Sequence, residues 1–222
     1  MNDSERALRQ QVIDTCRQLE KLGLNQGTSG NVSVRCGADP SGGFFLTPTS
    51  LSYDDMVPED IVHVMPDGRC TGRCQPSSEL PFHLEIMRQR RDATAVIHTH
   101  STHATTIACL RQEIPAVHYL VALFGGNNIR CADYATFGTP ELSANLLRAL
   151  TGRRAALMAN HGLVVLGSDL KQALALTLEA ETLATLYWRA LSAGTPSILS
   201  DGEMGTVAEK FIAYGYGPVG VE

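Results

Sequence analysis

Leu8, Val12, Cys16, Leu19 and Leu22 recur at three- and four-residue intervals, which predicts an amphipathic helix over residues 5–22, stopped at Gly23 and laid on a sheet. Beyond it the period shortens. GTSGNVSVR (27–35) joins a glycine-rich turn to an alternating strand, and FFLTPTS (44–50) and DIVHVMPDG (60–68) read as further strands broken by Pro and Gly. PSSELPFHLEIMRQR (76–90) returns to helical spacing, with Ser77 or Ser78 as the N-cap and Pro81 in the tolerant first turn. ATAVI (93–97) predicts a strand, 101–110 a helix, 116–123 an apolar extended segment and 139–150 a helix. AALMANHGLVVLG (155–167) gives two short strands around an NHG turn. Two helices end the pattern, a long one at 169–193 with Leu170, Leu174, Leu178 and Leu186, and one at 200–214 before the glycine-rich YGYGPVGVE.

Strands and helices interleave, yet several strands follow one another through short turns, which disfavours a purely parallel sheet. The expectation is an α/β fold with a mixed sheet and helices on both faces. At 222 residues, one domain spanning 1–222 is the simplest organisation. The formal charge of −5 is spread without a basic block, so nucleic acid is not an expected partner. No run reaches the roughly 18 apolar residues a spanning helix needs, and MNDSERALRQQ lacks the features of a signal peptide, so the expectations are no membrane and a cytoplasmic location. The six cysteines are read as free thiols; CTGRC (70–74) lacks a second ligand pair for zinc and reads as a turn.

Candidate chemistry gathers in VIHTHSTHATTIACL (96–110). Residues i and i+2 of a strand share a face, so His98 and His100 can present two nitrogens to one ion, although an H-x-H pair at a strand end is as often structural. Glu79, behind two serines, and His161, in ANHGLVV, would complete a set of three imidazoles and one carboxylate suited to zinc or another divalent transition metal. An alternative pairs Glu79 with His83 on one helical face; His63, His103 and His118 read as structural. Gly27, Gly30 and Asn31 could line an anion-binding turn, though such turns mostly just reverse the chain. TPTS (47–50) and Ser77–Ser78 add hydroxyls, the latter at a helix N-terminus that favours anions. A phosphate pocket would then adjoin a metal, a pairing that can hold a sugar phosphate, polarise its carbonyl and stabilise an enediolate. A carboxylate and a phenol would complete the proton transfers.

LGLNQGTSGNVSVR, TPTS, PSSE, the H-x-H pair, IPAVHYLVA, GGNNI, CADYATFGT and NHGL, with their spacing, resemble the class II aldolase/adducin family from about residue 6 to Tyr214. The resemblance implies a three-layer α/β/α subunit around a mixed, largely antiparallel sheet, in a fourfold-symmetric homotetramer with active sites between subunits. It implies an aldolase that splits a ketose 1-phosphate into dihydroxyacetone phosphate and an aldehyde, the ketose being L-fuculose, 5-deoxyribulose or 5-methylthioribulose 1-phosphate. Zn2+ would be held by Glu79, His98, His100 and His161, and phosphate by Gly30, Asn31, Thr49, Ser77 and Ser78, with Ser50 in the same turn. Glu79 would also be the base, Tyr119 the proton donor from a neighbouring subunit, and Phe137 and Tyr214 walls of the aldehyde pocket. Two positions depart from the family pattern. Thr99 stands inside the H-x-H pair and should point away from the metal, and Ser50 replaces a glycine, which matters if φ is positive there. A ribulose-5-phosphate 4-epimerase-like enzyme shares the histidines, but its pattern has aspartate where this chain has Glu79. The IPAVHY and YATFGT segments disfavour a dehydratase branch, and a non-catalytic adducin-like module would have lost the metal ligands.

Overall fold

The computed structural model describes residues 1–215; the segment 216–222, most of the glycine-rich tail, lies outside the described residues. Among the described residues nine strands form one sheet in the order β4-β3-β2-β1-β5-β9-β8-β7-β6. They are β1 (Asn31–Arg35), β2 (Phe44–Leu46), β3 (Val62–Val64), β4 (Cys70–Thr71), β5 (Ala95–Thr99), β6 (Ile114–Pro115), β7 (Asn128–Ala132), β8 (Ala155–Met158) and β9 (Gly162–Gly167). Only β7 and β8 pair in parallel; the other neighbours are antiparallel. The sheet is thus mixed and largely antiparallel, as its short turns require.

Helices cover both faces. α1 (Asp3–Lys21) buries Val12, Ile13, Cys16 and Leu19 against Val32, Val34, Phe45 and Ile97. Its start is fixed by a capping box in which Asn2 and Glu5 satisfy each other's backbone N–H, two residues earlier than the hydrophobic spacing predicts. α3 (Thr102–Cys109), α5 (Leu170–Ala193) and α6 (Asp201–Ala213) lie on the same side, around Ile107, Leu157, Val165, Leu183 and Met204. α2 (Leu80–Gln89) and α4 (Pro140–Ala149) pack on the opposite face through Phe82, Ile86, Leu142 and Leu146 against Val96, Met158 and Val164. Alternation along β5 explains the split: Ala95 and Ile97 serve one core, Val96 the other.

Three expectations need correcting. The segment expected to be extended at 116–123 is instead a 3₁₀ helix, Tyr119–Phe124, ended by Gly125 at φ 91°. Its buried residues Val121 and Phe124 are three apart, the 3₁₀ repeat, which an unbroken apolar run conceals. β7 was not expected, because NIRCA buries only Ile129 and Ala132 while Arg130 reaches out to the carbonyls of Ala149 and Thr151. The N-cap of α2 is Glu79, neither Ser77 nor Ser78, and its side chain makes no cap bond; the Glu79 N–H donates to Ser77 Oγ at 3.2 Å. CTGRC comprises the edge strand β4 and a bend, and all six cysteines are free. No helix among the described residues is long and apolar enough to cross a membrane.

Candidate active site

Register brings the site together. β5 lies between β1 and β9, with His98 opposite Asn31 on one side and Val164 on the other. His98 projects to the α2 face, where its ring meets Phe82 edge-on at 5.7 Å. His100 follows just past the strand end, and His161 sits in the turn between β8 and β9, after Asn160 at φ 53°. The nitrogens of His98, His100 and His161 lie within 4.8 Å of one another. Gly162 makes this approach possible: a Cβ there would come within 2.5 Å of the Thr99 carbonyl and 2.9 Å of the His100 ring.

Glu79 reaches the cluster from the start of α2. Its Oε2 is 2.9 Å from His98 Nε2, and its Oε1 is 3.1 Å from His161 Nε2. His98 Nε2 and His100 Nε2 are 3.0 Å apart. Donors bonded to one tetrahedral ion at ~2.0–2.1 Å would be about 3.3 Å apart, so these separations fit a shared divalent ion. The donor chemistry agrees. His98 Nδ1 donates to the Leu163 carbonyl at 3.0 Å, so the Nε2 of the neutral ring carries a lone pair that faces a carboxylate oxygen. Glu79 Oε1 is buried and receives no well-aligned hydrogen bond despite His161 nearby. A cation between these groups satisfies both. Burial alone would raise the Glu79 pKa, but positive charge and hydrogen bonds from His98 and His161, when protonated, outweigh it and hold the carboxyl well below the usual range. A cation in place of those protons would act in the same sense. His100 is lowered to about 4, first by burial and then by its two histidine neighbours, which keeps its nitrogen unprotonated and ligand-ready at neutral pH.

Above the cluster opens a cleft of about 380 Å³, within the range of small-molecule sites. Gly30, Asn31, Thr49, Ser50, Ser77, Ser78, Glu79, His100, His161 and Phe137 all line it. Two segments are strapped together to place the hydroxyls. Ser77 N–H donates to the Thr47 carbonyl and Thr49 N–H to the Gln75 carbonyl, each at 3.1 Å, and Pro48 bridges Pro76. Ser50 adopts φ 58°, so the left-handed turn is present although the residue is not glycine. Gly30 has no room for a side chain, since a Cβ would meet the His98 carbonyl at 2.7 Å.

Two of the expected site residues, Tyr119, expected to act from a neighbouring subunit, and Tyr214, do not line this chain's own cleft. Tyr119 is 46% exposed on the 3₁₀ helix, and Tyr214 is 77% exposed at the end of α6. His83 points inward, fully buried, and is not among the converging nitrogens. His103 Nδ1 donates to Glu181 at 2.8 Å, and His63 Nε2 donates to the Gly42 carbonyl at 2.7 Å. His118 accepts from the Leu120 N–H beside Tyr119. Thr28, Ser29, Tyr134 and Asn160 line the cleft without having been singled out. Tyr134 stands within the quoted YATFGT, and Asn160 within NHGL, so their segments carried the signal though no chemistry marked the residues.

The family model of the class II aldolase and adducin N-terminal domain matches residues 10–188. A 5-methylthioribulose-1-phosphate/5-deoxyribulose-1-phosphate aldolase of Rhodospirillum rubrum is 48% identical over 215 residues, covering 97% of this chain and 96% of that protein. An L-fuculose phosphate aldolase of Escherichia coli is 45% identical over 209 residues, covering 94% and 95%. A solved structure of an L-fuculose 1-phosphate aldolase superposes with a TM-score of 0.88 at 38% identity, over 93% of this chain and 96% of that one.

Proposed function

The chain belongs to the class II aldolase and adducin family and is an aldolase of ketose 1-phosphates; from that premise we propose a metal-assisted cleavage into dihydroxyacetone phosphate and an aldehyde. The observation that carries the mechanism is the convergence of Glu79 and three imidazoles at the floor of a hydroxyl-lined cleft. His98, His100, His161 and Glu79 would hold the ion, and the nitrogen-rich set favours zinc among divalent transition metals. Such an ion, when bound, supplies Lewis-acid polarisation of the substrate's carbonyl and hydroxyl oxygens.

The protein's own groups do the rest. Thr49, Ser50, Ser77 and Ser78, with the backbone at Gly30 and Asn31, form the polar end of the cleft and hold the phosphate, which orients the carbonyl toward Glu79. In condensation, Glu79 takes a proton from the hydroxymethyl carbon of dihydroxyacetone phosphate, the electron pair moves onto the carbonyl oxygen, and the new carbon–carbon bond forms at the aldehyde. Tyr119 then gives its proton to the aldehyde oxygen; cleavage runs the same steps backwards. Tyr119 is exposed and does not line its own cleft, so in this reading it serves a neighbouring subunit of a fourfold homotetramer. Phe137 and Tyr134 line the cleft and would meet the aldehyde; Tyr214, which does not line its own chain's cleft, would join that pocket only from a neighbouring subunit.

L-fuculose, 5-deoxyribulose and 5-methylthioribulose 1-phosphates form the test panel. The expected result is release of dihydroxyacetone phosphate from at least one of them, abolished by a chelator and restored by added zinc. Epimerisation of ribulose 5-phosphate, assayed alongside, with no triose release from the panel would replace this reading by the epimerase one, and chelator-insensitive cleavage would remove the metal from it.

A further inference from the structure

A buried chain of side chains leads from the core to Glu79. Ser33 Oγ is 2.7 Å from His83 Nδ1, His83 Nε2 is 2.6 Å from Asn31 Oδ1, and Asn31 Nδ2 donates to Glu79 Oε2 at 2.9 Å. Ser33 and His83 are fully buried and Asn31 nearly so. The direction of every bond follows from the last one. A carboxylate only accepts, so the Asn31 NH₂ faces Glu79 and its oxygen faces His83. His83 must then carry its proton on Nε2, and Nδ1 accepts from the Ser33 hydroxyl. The alternative amide rotamer of Asn31 would set two oxygens against each other beside Glu79 and leave the His83 donor facing an NH₂. His83 is held in place by stacking on Phe82, with ring centroids 4.6 Å apart.

We propose that His83 is a positioning residue: through Asn31 it locks the amide that holds the Glu79 carboxylate in its orientation toward the histidine cluster. The proposal rests on the reading of that cluster as a metal site, and it assigns Asn31 a duty beyond lining the phosphate end of the cleft. Burial, the largest influence on His83, lowers its pKa to about 3, so the ring stays neutral and its proton stays on one nitrogen across the physiological range.

The test compares His83→Phe, which keeps a stacked ring but loses the donor, with His83→Gln, whose amide nitrogen can take the place of Nε2. Zinc is titrated into each metal-free protein against a chromophoric chelator. His83→Phe should bind zinc about 10- to 100-fold more weakly, the usual loss when a partner behind a metal ligand is removed, while His83→Gln stays within about threefold of wild type. Equal weakening in both variants would mean that the ring only packs, and wild-type affinity in His83→Phe would overturn the proposal outright. Should His83→Phe fail to fold, Asn31→Leu decides: with the amide that bonds Glu79 removed, zinc binding should weaken about 10-fold or more, and unchanged affinity would sink the idea. Failure of wild type to bind zinc at all would instead refute the metal reading on which both rest. Triose release is assayed in parallel, so an inactive wild type that still binds zinc would refute the aldolase mechanism while leaving the positioning comparison valid.

Discussion

At Ser50 the chain takes a left-handed turn, φ 58°, with a residue that has a Cβ. That conformation costs an L-residue about 1–2 kcal/mol, whereas glycine enters it freely and loses about 0.5–1 kcal/mol through its looser unfolded state. Ser50→Gly should therefore raise stability by up to about 1 kcal/mol, read from the urea midpoint at unchanged slope; a loss of stability would show that the hydroxyl's contact with Thr49 at 3.3 Å outweighs the strain. His83 offers a second residue-level expectation. Its folded pKa of about 3 lies below the ordinary 6.5, so between these values the unfolded chain holds a proton that the folded chain refuses. Its contribution is complete above the upper value and is lost as pH falls through that window, with a slope of up to about 1.4 kcal/mol per pH unit. In metal-free protein, His83→Gln should lower the pH slope of the unfolding free energy there by one proton, and an unchanged slope would show that His83 is not buried as a neutral ring. At this scale the residues that converge on the cleft were legible, since H-x-H, an isolated glutamate behind serines and NHG each display groups able to ligate a metal. The role of His83 was not, because pairing with Asn31 depends on a register between β1 and α2 that spacing along the chain does not encode.

Helix α3 begins immediately after the His98–Thr99–His100 segment, and Ser101 at its N-cap makes no cap bond; its hydroxyl is buried without a partner. The cap comes from α5 instead. Glu181 Oε1 accepts from the His103 N–H at 2.8 Å and Oε2 from the Ala104 N–H at 2.9 Å, placing a carboxylate at the positive end of the helix. Glu181→Ala should cost about 1–2 kcal/mol, as loss of a helix cap does, and should speed amide exchange at residues 103 and 104 ahead of the rest of α3. Exchange that rises uniformly over the helix would instead mean that Glu181 acts through general packing. The contrast in what could be foreseen is physical. α1 and α5 carry long apolar stripes, and these helices and α6 all have local side-chain caps, so the sequence announces them. The Tyr119–Phe124 turn and β7 are short, and their state is chosen by neighbours: Gly125 ends the first, and pairing with β8 creates the second. The Glu181 cap joins residues 78 positions apart and has no local signature.

For the whole molecule, the decisive arrangement is a cleft that holds Glu79 while Tyr119 faces outward from the same chain. If neighbouring subunits complete each other's sites, Glu79→Gln and Tyr119→Phe proteins, each nearly inactive alone, should recover activity when unfolded together and reassembled. Random mixing in a ring gives roughly a quarter of the sites an intact pair. No recovery in verified mixed assemblies would place both residues in one subunit's site. The sheet itself carries one more consequence. β5 closes on β1 and on β9, joining residues 95–99 to a segment more than sixty positions later, and His98 and His161 meet only once that closure is made. Contacts between such distant parts of a chain form slowly, because the intervening loop must first be brought together. A ribosome-bound chain that has not yet released β9 therefore has no assembled cluster, and an ion held by these groups could be captured only after the sheet has closed.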